Sequence, residues 1–245
     1  MVGMICETPQ LSVIVLCLNE AERLPLLLAD LRRSSITTQI LLADGGSEDA
    51  SPQIAALAGA GIVKVHPAGR GPQLRATASE ARGDWLLFLH ADSRLPAEWS
   101  TAIVPLLRSS RAAQSAWYFD LRIDPSTVAR RLLERGVALR SRLLQRPYGD
   151  QGLLLHRRLY ERCGGYANLP LMEDLDLVER LSRISRLRRI GVSLTTDGRR
   201  WQTDGVLIRS LRNAQLRRRW RRGEPAEQLA ARYHGTQLAY QKPQR

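Results

Sequence analysis

Asp44, Asp92 and the pair Glu173-Asp174 are the side chains of this 245-residue chain whose types and spacing best suit chemistry. Asp44 closes the run Leu41-Leu42-Ala43 and is followed by Gly45-Gly46-Ser47. Asp92 follows the run Trp85-Leu86-Leu87-Phe88-Leu89 through His90-Ala91. Glu173-Asp174 follows Pro170-Leu171-Met172 and opens a helical pattern. Apolar runs that end in a carboxylate read as buried parallel strands with an acid at their C-terminal edge, where open α/β sheets bind ligands. Two such strand ends and a third acidic station downstream suggest a site for a nucleotide, a metal ion and a reacting hydroxyl.

Each motif has a plainer reading beside the chemical one. At Asp44-Gly45-Gly46 the glycines admit a flat ligand, and the carboxylate can accept a base N–H and a ribose hydroxyl; an Asp-Gly turn that merely starts a helix is the alternative. At His90-Ala91-Asp92 a carboxylate suits a divalent cation bridging a diphosphate, because hard cations prefer oxygen. His90 is a further ligand or a hydrogen-bond donor there, and a helix cap at Asp92 or Ser93 is the alternative. Acids at a helix start suit the dipole, which accounts for one of Glu173 and Asp174. Two adjacent acids after Gly164-Gly165 and Pro170 suggest a loop that presents a general base, a task for a group ionised near neutral pH.

Gly69-Arg70-Gly71 is half a dinucleotide fingerprint with Leu74 where the third glycine belongs, so that reading is weak. A basic loop that helps hold a diphosphate remains open, with Arg70 and Gln73 as binding candidates. Tyr148-Gly149-Asp150-Gln151-Gly152 reads as the lining of an acceptor pocket, through Asp150, or as a turn. Arg199-Arg200-Trp201 pairs two guanidinium forks with an aromatic ring and suits a diphosphate or a sugar.

These residues need elements to hold them. Leu11–Leu18, Ile40–Ala43, Ile62–His66 and Trp85–His90 read as strands. Asn19-Glu20 is expected to cap a helix that carries Leu24, Leu27, Leu28 and Leu31 on one face, and Ser47 to cap the next helix, which Gly59 and Gly61 end. Residues 73–82 read as a short helix. Strands alternating with helices of this length imply βαβ units. The rhythm changes after Pro96. A helix is expected at residues 97–107, a longer and more exposed strand at residues 116–123, and a strand at residues 152–156. An amphipathic helix is expected at residues 127–146 with Val128, Leu132, Leu139 and Leu143 inward. A helix at residues 173–183 and a strand at residues 190–194 precede a basic, helical stretch from Asp204 onward.

The composition, 44% hydrophobic and 25% charged, is that of a globular chain. The net charge is +13, carried by 35 Arg and two Lys (Lys64 and Lys242). Residues 199–222 hold nine Arg against one acid, Asp204, and include the run Arg217–Arg222 (RRRWRR). Such a charge favours anionic partners. An anionic membrane surface suits the basic tail, while nucleic acid is not expected, since neither aromatic platforms nor a reader motif accompany the arginines. Cys6, Cys17 and Cys163 support neither a disulfide framework nor a zinc site. No apolar stretch has the length of a membrane span, and residues 1–10 lack the pattern of a signal peptide. The expected setting is therefore cytoplasmic, with or without peripheral attachment to the inner face of a membrane.

Taken together, LSVIVLCLNEAERL, LLADGGSEDAS, GDWLLFLHADSRLP and YGDQGLLLHRRLYERCGGYANLPLMEDLDLVERL resemble, in order and spacing, the family 2 glycosyltransferases. The likeness runs from about Leu11 to Trp201 and is nearest to a small bacterial subgroup associated with arsenosugar biosynthesis and radical-SAM enzymes. It implies a GT-A fold, a Rossmann-like, mostly parallel sheet flanked by helices, over residues 8–203, with a helical basic tail over residues 204–245. It also implies a nucleotide-diphosphate-sugar donor, UDP- or GDP-linked, a hydroxyl acceptor, and Mg2+ or Mn2+. By this resemblance Asn19, Glu20, Asp44 and Gly45 belong to the nucleotide side, and Asp92 holds the metal with His90 beside it. Asp174, with Glu173 next to it, is the base, and Arg199, Arg200 and Trp201 stand where relatives carry an Arg-Trp pair. One departure is that His90 and Ser93 flank Asp92 where the family often has a second acid. The rival readings are a nucleotidyltransferase, which would want a Lys- and Arg-rich loop after the first strand where Asn19-Glu20-Ala21-Glu22 stands, and a basic binding protein without catalysis.

Overall fold

The computed structural model describes residues 10–65, 69–199 and 205–240, without the side chains of Leu207 and residues 234–240. The sheet is built of β1 (Leu11–Cys17), β2 (Thr38–Asp44), β3 (Gly61–Lys64), β4 (Trp85–His90), β5 (Ser93–Arg94), β6 (Ala116–Asp124), β7 (Leu153–His156) and β8 (Leu187–Asp197), in the order β3-β2-β1-β4-β7-β6-β8-β5. The helices are α1 (Leu24–Arg32), α2 (Ser51–Leu57), α3 (Arg70–Ser79), α4 (Trp99–Leu107), α5 (Val128–Leu143), α6 (Arg157–Arg162), α7 (Glu173–Ile184), α8 (Val206–Arg221) and α9 (Ala226–Tyr240).

The first four strands pair in parallel, as the alternation of strands and helices requires. β7 then enters antiparallel between β4 and β6, β8 runs parallel to β6, and β5 closes the edge antiparallel to β8. Strand side chains alternate between faces with period two, and both faces are covered. Leu11, Val13, Val15, Trp85, Leu87 and Leu89 pack on one side with Leu24, Leu27, Leu28 and Leu31 of α1 and Trp99 and Ile103 of α4. Ile14, Leu86 and Phe88 pack on the other with Leu74 of α3, Leu159 of α6 and Leu177, Val178 and Leu181 of α7. Each fully buried Leu, Ile or Val contributes about 1.5–3 kcal/mol of transfer free energy, so β1 and β4 anchor the sheet. β2 and β4 consequently end at one edge, with Cys17 in register with Asp44 and Leu16 with His90.

Four local expectations are corrected. Asn19 and Glu20 do not cap α1, whose first turn holds a proline and whose cap residue is Arg23. Ser47 does not cap α2, which starts at Ser51-Pro52. A proline in the first turn gives up only an N–H that has no helical partner. β6 is mostly buried, because β7 and β8 flank it on both sides. Finally, α5 is turned over. Val128, Leu132, Leu139 and Leu143 are exposed, and the buried face carries Arg130, Glu134, Val137 and Ser141. The third strand stops at Lys64, and His66 lies outside the described residues.

Candidate active site

The site forms where the C-terminal ends of β1, β2 and β4 meet the N-terminus of α7. In the turn after β1, Asn19 has a left-handed backbone (φ 54°). Its N–H donates to Ser47 Oγ at 2.9 Å, and its Oδ1 accepts from Glu48 N at 2.8 Å. Glu20 N donates to Ser51 Oγ and Ala21 N to Asp49 Oδ2, each at 2.9 Å. The turn after β1 is thereby stitched to the loop after β2. Asp44 is fully buried, and both carboxylate oxygens accept from Ser47 N, at 3.2 and 3.3 Å. Gly45 N donates to Cys17 O at 2.9 Å, and a Cβ on Gly45 would stand 2.8 Å from Gln73 Nε2. Gln73 therefore packs against the glycine that follows Asp44.

Arg199 N donates to Asp197 Oδ1 at 2.7 Å, while the Arg199 guanidinium pairs with Glu20 and that of Arg23 with Asp197. These charges lock the end of β8 to the turn after β1. Arg200 and Trp201 lie outside the described residues.

Asp92 follows β4 at 7% exposure, and its Oδ1 is buried without a hydrogen-bond partner. An acceptor-only oxygen in that state wants a cation or a donor. No group of three or more His, Cys, Asp or Glu among the described residues gathers to hold a metal. The donor set fits a Mg2+ or Mn2+ ion bound through one carboxylate and the phosphates of a substrate, which is how such ions are commonly held. His90 Nε2 lies 3.0 Å from Arg70 Nη2, so this nitrogen faces a guanidinium.

Arg70 joins the end of β4 to the start of α7. Its Nε is 2.7 Å from Glu173 Oε1, a close ion pair in which the N–H is not aimed along a hydrogen bond. Gly71 makes this contact possible. A Cβ there would fall 2.2 Å from Ala167 O and 2.6 Å from Leu169 O, and its N–H donates to Leu169 O at 3.0 Å. The glycine of the Gly-Arg-Gly sequence thus serves close packing against the segment that leads to Glu173.

Glu173 is 1% exposed. Burial pushes its carboxyl up to about 7 despite the opposing Arg70, and the neighbouring Asp174 charge adds to the rise. Asp174 is oriented differently. Its Oδ2 accepts from Gly149 N at 3.0 Å and its Oδ1 from Leu175 N at 2.8 Å. It lines a pocket with Pro147, Tyr148, Gly149, Gly152, Leu153, Tyr166 and Val178. A Cβ on Gly149 would lie 3.1 Å from His90 Nε2 and 3.4 Å from Asp174 Oδ2, so the end of β4 and the start of α7 meet at this glycine. Met172, immediately before the acid pair, has a left-handed backbone (φ 66°), a costly state for a non-glycine residue.

Asp150, next to the pocket residue Gly149, has Oδ1 buried without a hydrogen-bond partner, and burial raises its carboxyl above the usual range. Gln151 fixes the turn. It is 1% exposed, donates to Phe119 O at 3.1 Å and accepts from Ser141 Oγ at 2.8 Å. The Arg140 guanidinium lies 3.9 Å from the centroid of the Tyr148 ring and that of Arg217 5.2 Å. Sequence reading missed Tyr166, Arg140 and Asp30. The last is a buried acid that accepts from Arg94, Leu95 N and Arg33 and holds the loop after Asp92. A charged residue inside a leucine-rich helix is the one signal that pointed to Asp30; the others carry none.

The profile of glycosyl transferase family 2 matches residues 12–162. The match spans more than half of the chain, and the chain belongs to that family. Among curated proteins, none matches it. Solved structures show the same GT-A glycosyltransferase fold. TarS of S. aureus, residues 1–349 in complex with UDP-GlcNAc, superposes with a TM-score of 0.63 at 15% identity, covering 78% of this chain and 59% of TarS 1–349. The mannosyltransferase PcManGT from Pyrobaculum calidifontis, in complex with GDP-Man and Mn2+, gives 0.61 at 16% identity, covering 93% of this chain and 70% of that one. Glucosyl-3-phosphoglycerate synthase from Mycobacterium tuberculosis, with Mn2+, UDP and glucosyl-3-phosphoglycerate, gives 0.53 at 19% identity, covering 75% and 71%. The chain thus spans about three fifths of the TarS structure.

Proposed function

We propose that this chain transfers a glycosyl group from a UDP- or GDP-linked sugar to a hydroxyl acceptor, with inversion. The observation that carries the reading is the Asp174 carboxylate. It lines the pocket, is held by two backbone N–H groups, and stands across Gly149 from the strand end that carries Asp92. Nucleotide sugars or nucleotides in the TarS, PcManGT and glucosyl-3-phosphoglycerate synthase structures, the last two with Mn2+, support a donor and a metal of the same kinds. The likeness to the arsenosugar-associated subgroup belongs to this reading and constrains the acceptor little.

In this mechanism Asp44, Gly45, Asn19 and Glu20 form the nucleotide side, with Gln73 packed beneath. Asp92 would hold Mg2+ or Mn2+ together with the donor diphosphate, and the ion supplies Lewis-acid neutralisation of the leaving group. Arg199 and Arg70 place positive charge beside the diphosphate, and Asp150 borders the acceptor. Asp174 takes the acceptor's proton on a carboxylate oxygen as the hydroxyl attacks the anomeric carbon. One N–H donor on each oxygen keeps the carboxylate in place, so little reorganisation is needed. Glu173, turned inward to Arg70, positions its neighbour. With one carboxylate at the acceptor and none assigned to the donor's far face, a single displacement follows, and single displacement inverts.

Peripheral attachment through the basic tail is part of the same reading. Much of the RRRWRR run is occupied within the protein, Arg217 by Tyr148, Arg219 by Glu224 and Arg221 by Glu179, which leaves Arg218 and Arg222 to face an anionic surface. No helix among the described residues is long and apolar enough to cross a membrane.

The test is thermal. UDP or GDP with Mn2+ raises Tm, because a ligand bound only by the folded state stabilises it, and Asp92→Ala removes the metal-dependent part. An unchanged shift in that variant refutes the metal assignment.

A further inference from the structure

Helix α5 is built inside out. Its inward polar groups are satisfied: Arg130 donates to Gly198 O at 3.1 Å, Glu134 accepts from Ile123 N and Arg122 at 2.9 Å each, and Ser141 donates to Gln151 Oε1 at 2.8 Å. Val137 is the buried apolar residue among them. The apolar residues that make the helix look core-facing point away instead. Val128, Leu132, Leu139 and Leu143 are 78, 61, 59 and 71% exposed, and Leu144 just beyond the helix is 57% exposed. At 3.6 residues per turn the four helical positions fall within roughly 60° of arc. Arg131, Arg135 and Arg142 are exposed along one edge of this stripe. The only carboxylate of α5, Glu134, lies on the opposite, buried face. Helix α8 contacts α5, Ile208 and Leu211 near its start are exposed, and residues 205–223 contain no Asp or Glu.

A continuous leucine stripe in water is unfavourable, and on a soluble surface such a patch marks a contact. The charge beside it selects the kind of contact. We infer that α5, with the start of α8, is a docking surface for an anionic lipid bilayer, its leucines entering the boundary between headgroups and acyl chains and its arginines meeting lipid phosphates. Interfacial helices combine these same two components, and their binding grows with buried apolar area and with the anionic lipid fraction. A second copy seated on this face would bring together two basic surfaces whose helix α5 exposes no carboxylate, which like-charge repulsion disfavours. The chain from the end of α5 leads directly to Tyr148 and Gly149, whose N–H holds Asp174. Docking on α5 therefore sets the acceptor pocket near the lipid surface.

This inference rests on the peripheral attachment proposed above and moves its principal contact from the RRRWRR run to α5. Sedimentation of the full chain with phosphatidylcholine vesicles, with and without phosphatidylglycerol, tests it. Wild type is expected to partition onto the anionic vesicles only. Leu132→Ser with Leu139→Ser should lower that partition about tenfold or more while leaving the melting curve and the Tm shift with UDP and Mn2+ unchanged, since both side chains are exposed. Arg218→Glu with Arg222→Glu should cost about threefold or less and mainly at low salt. If the serine variant partitions like wild type while the glutamate variant does not, the α5 inference is wrong and the tail reading stands. If wild type ignores anionic vesicles at low salt, both fall, and the transferase reading is untouched. A dimer seen by light scattering that the serine substitutions dissolve makes a second copy the occupant and overturns the inference.

Discussion

Glu173 and Asp174 are adjacent in sequence and opposite in circumstance. Asp174 borders the pocket and receives two N–H donors, whereas Glu173 points into the protein and touches Arg70 without an aligned hydrogen bond. Asp174→Asn is therefore expected to lower single-turnover transfer by about 100- to 10,000-fold, the contribution of a general base, with donor affinity retained. Glu173→Gln should cost less. If the effects are reversed, Glu173 is the base. The folded protein holds a proton on Glu173 up to about pH 7, against 4.5 for an ordinary glutamate. Between these values the unfolded chain has released a proton that the native state keeps, so stability falls as pH rises through this window. The groups that face it are Arg70, whose charge opposes the rise, Asp174, whose charge adds to it, and Tyr166. The loss amounts to about 3 kcal/mol at most, and Glu173→Gln should flatten the urea midpoint from pH 5 to pH 8. A slope unchanged in that variant excludes Glu173 as its source.

Gly71 and the buried face of α5 illustrate how elements are placed by contacts that local patterns do not contain. α3 begins at Arg70, and its second residue lies flat against the backbone at Ala167 and Leu169. Gly71→Ala drives a methyl into three backbone atoms that have no rotamer to escape through. Overpacking of this kind costs about 1–3 kcal/mol. The relief available is a shift of α3 away from the segment before Glu173, which would part Arg70 from Glu173. A lower urea midpoint and slower transfer at saturating donor are the expected pair of effects. A variant as stable as wild type would show that the 167–169 segment yields freely. In α5 the same lesson appears in reverse. The leucine period is helical, yet buried hydrogen bonds from Arg130, Glu134 and Ser141 turn the polar side inward.

The last two helices roof the loop that presents the acids. Leu171, Met172 and Leu175 pack with Leu229 and Ala230 of α9, and Tyr148, Leu216, Trp220 and Tyr233 close around them. The basic stretch is thus joined to the pocket: Arg217 lies over Tyr148, and Arg221 pairs with Glu179 of α7. Leu229 is fully buried in this cluster. Leu229→Ala is expected to cost about 2–5 kcal/mol in stability and to lower kcat more than it weakens donor binding, because the roof covers the segment that carries Glu173 and Asp174 and not the one that carries Asp44. Equal losses in kcat and donor affinity would place the roof's influence elsewhere.

The alternation of apolar runs with leucine-faced helices was enough to give four parallel strands and the acids at their ends, because a buried strand's period and its terminating Asp-Gly or His-x-Asp are local facts. The placement of Asp92 and Asp174 was legible for the same reason: the first follows a strand and the second opens a helix. The different surroundings of Glu173 and Asp174 were not legible, since they depend on Arg70 arriving from α3 and Gly149 from the turn before β7. Nor was the antiparallel entry of β7, which is a matter of pairing between distant segments. The outward face of α5 was read backwards. Periodicity reports that a helix has an apolar side, while the direction of that side is set by which partners the polar residues find, and those partners, Gly198, Ile123 and Gln151, come from three other parts of the chain.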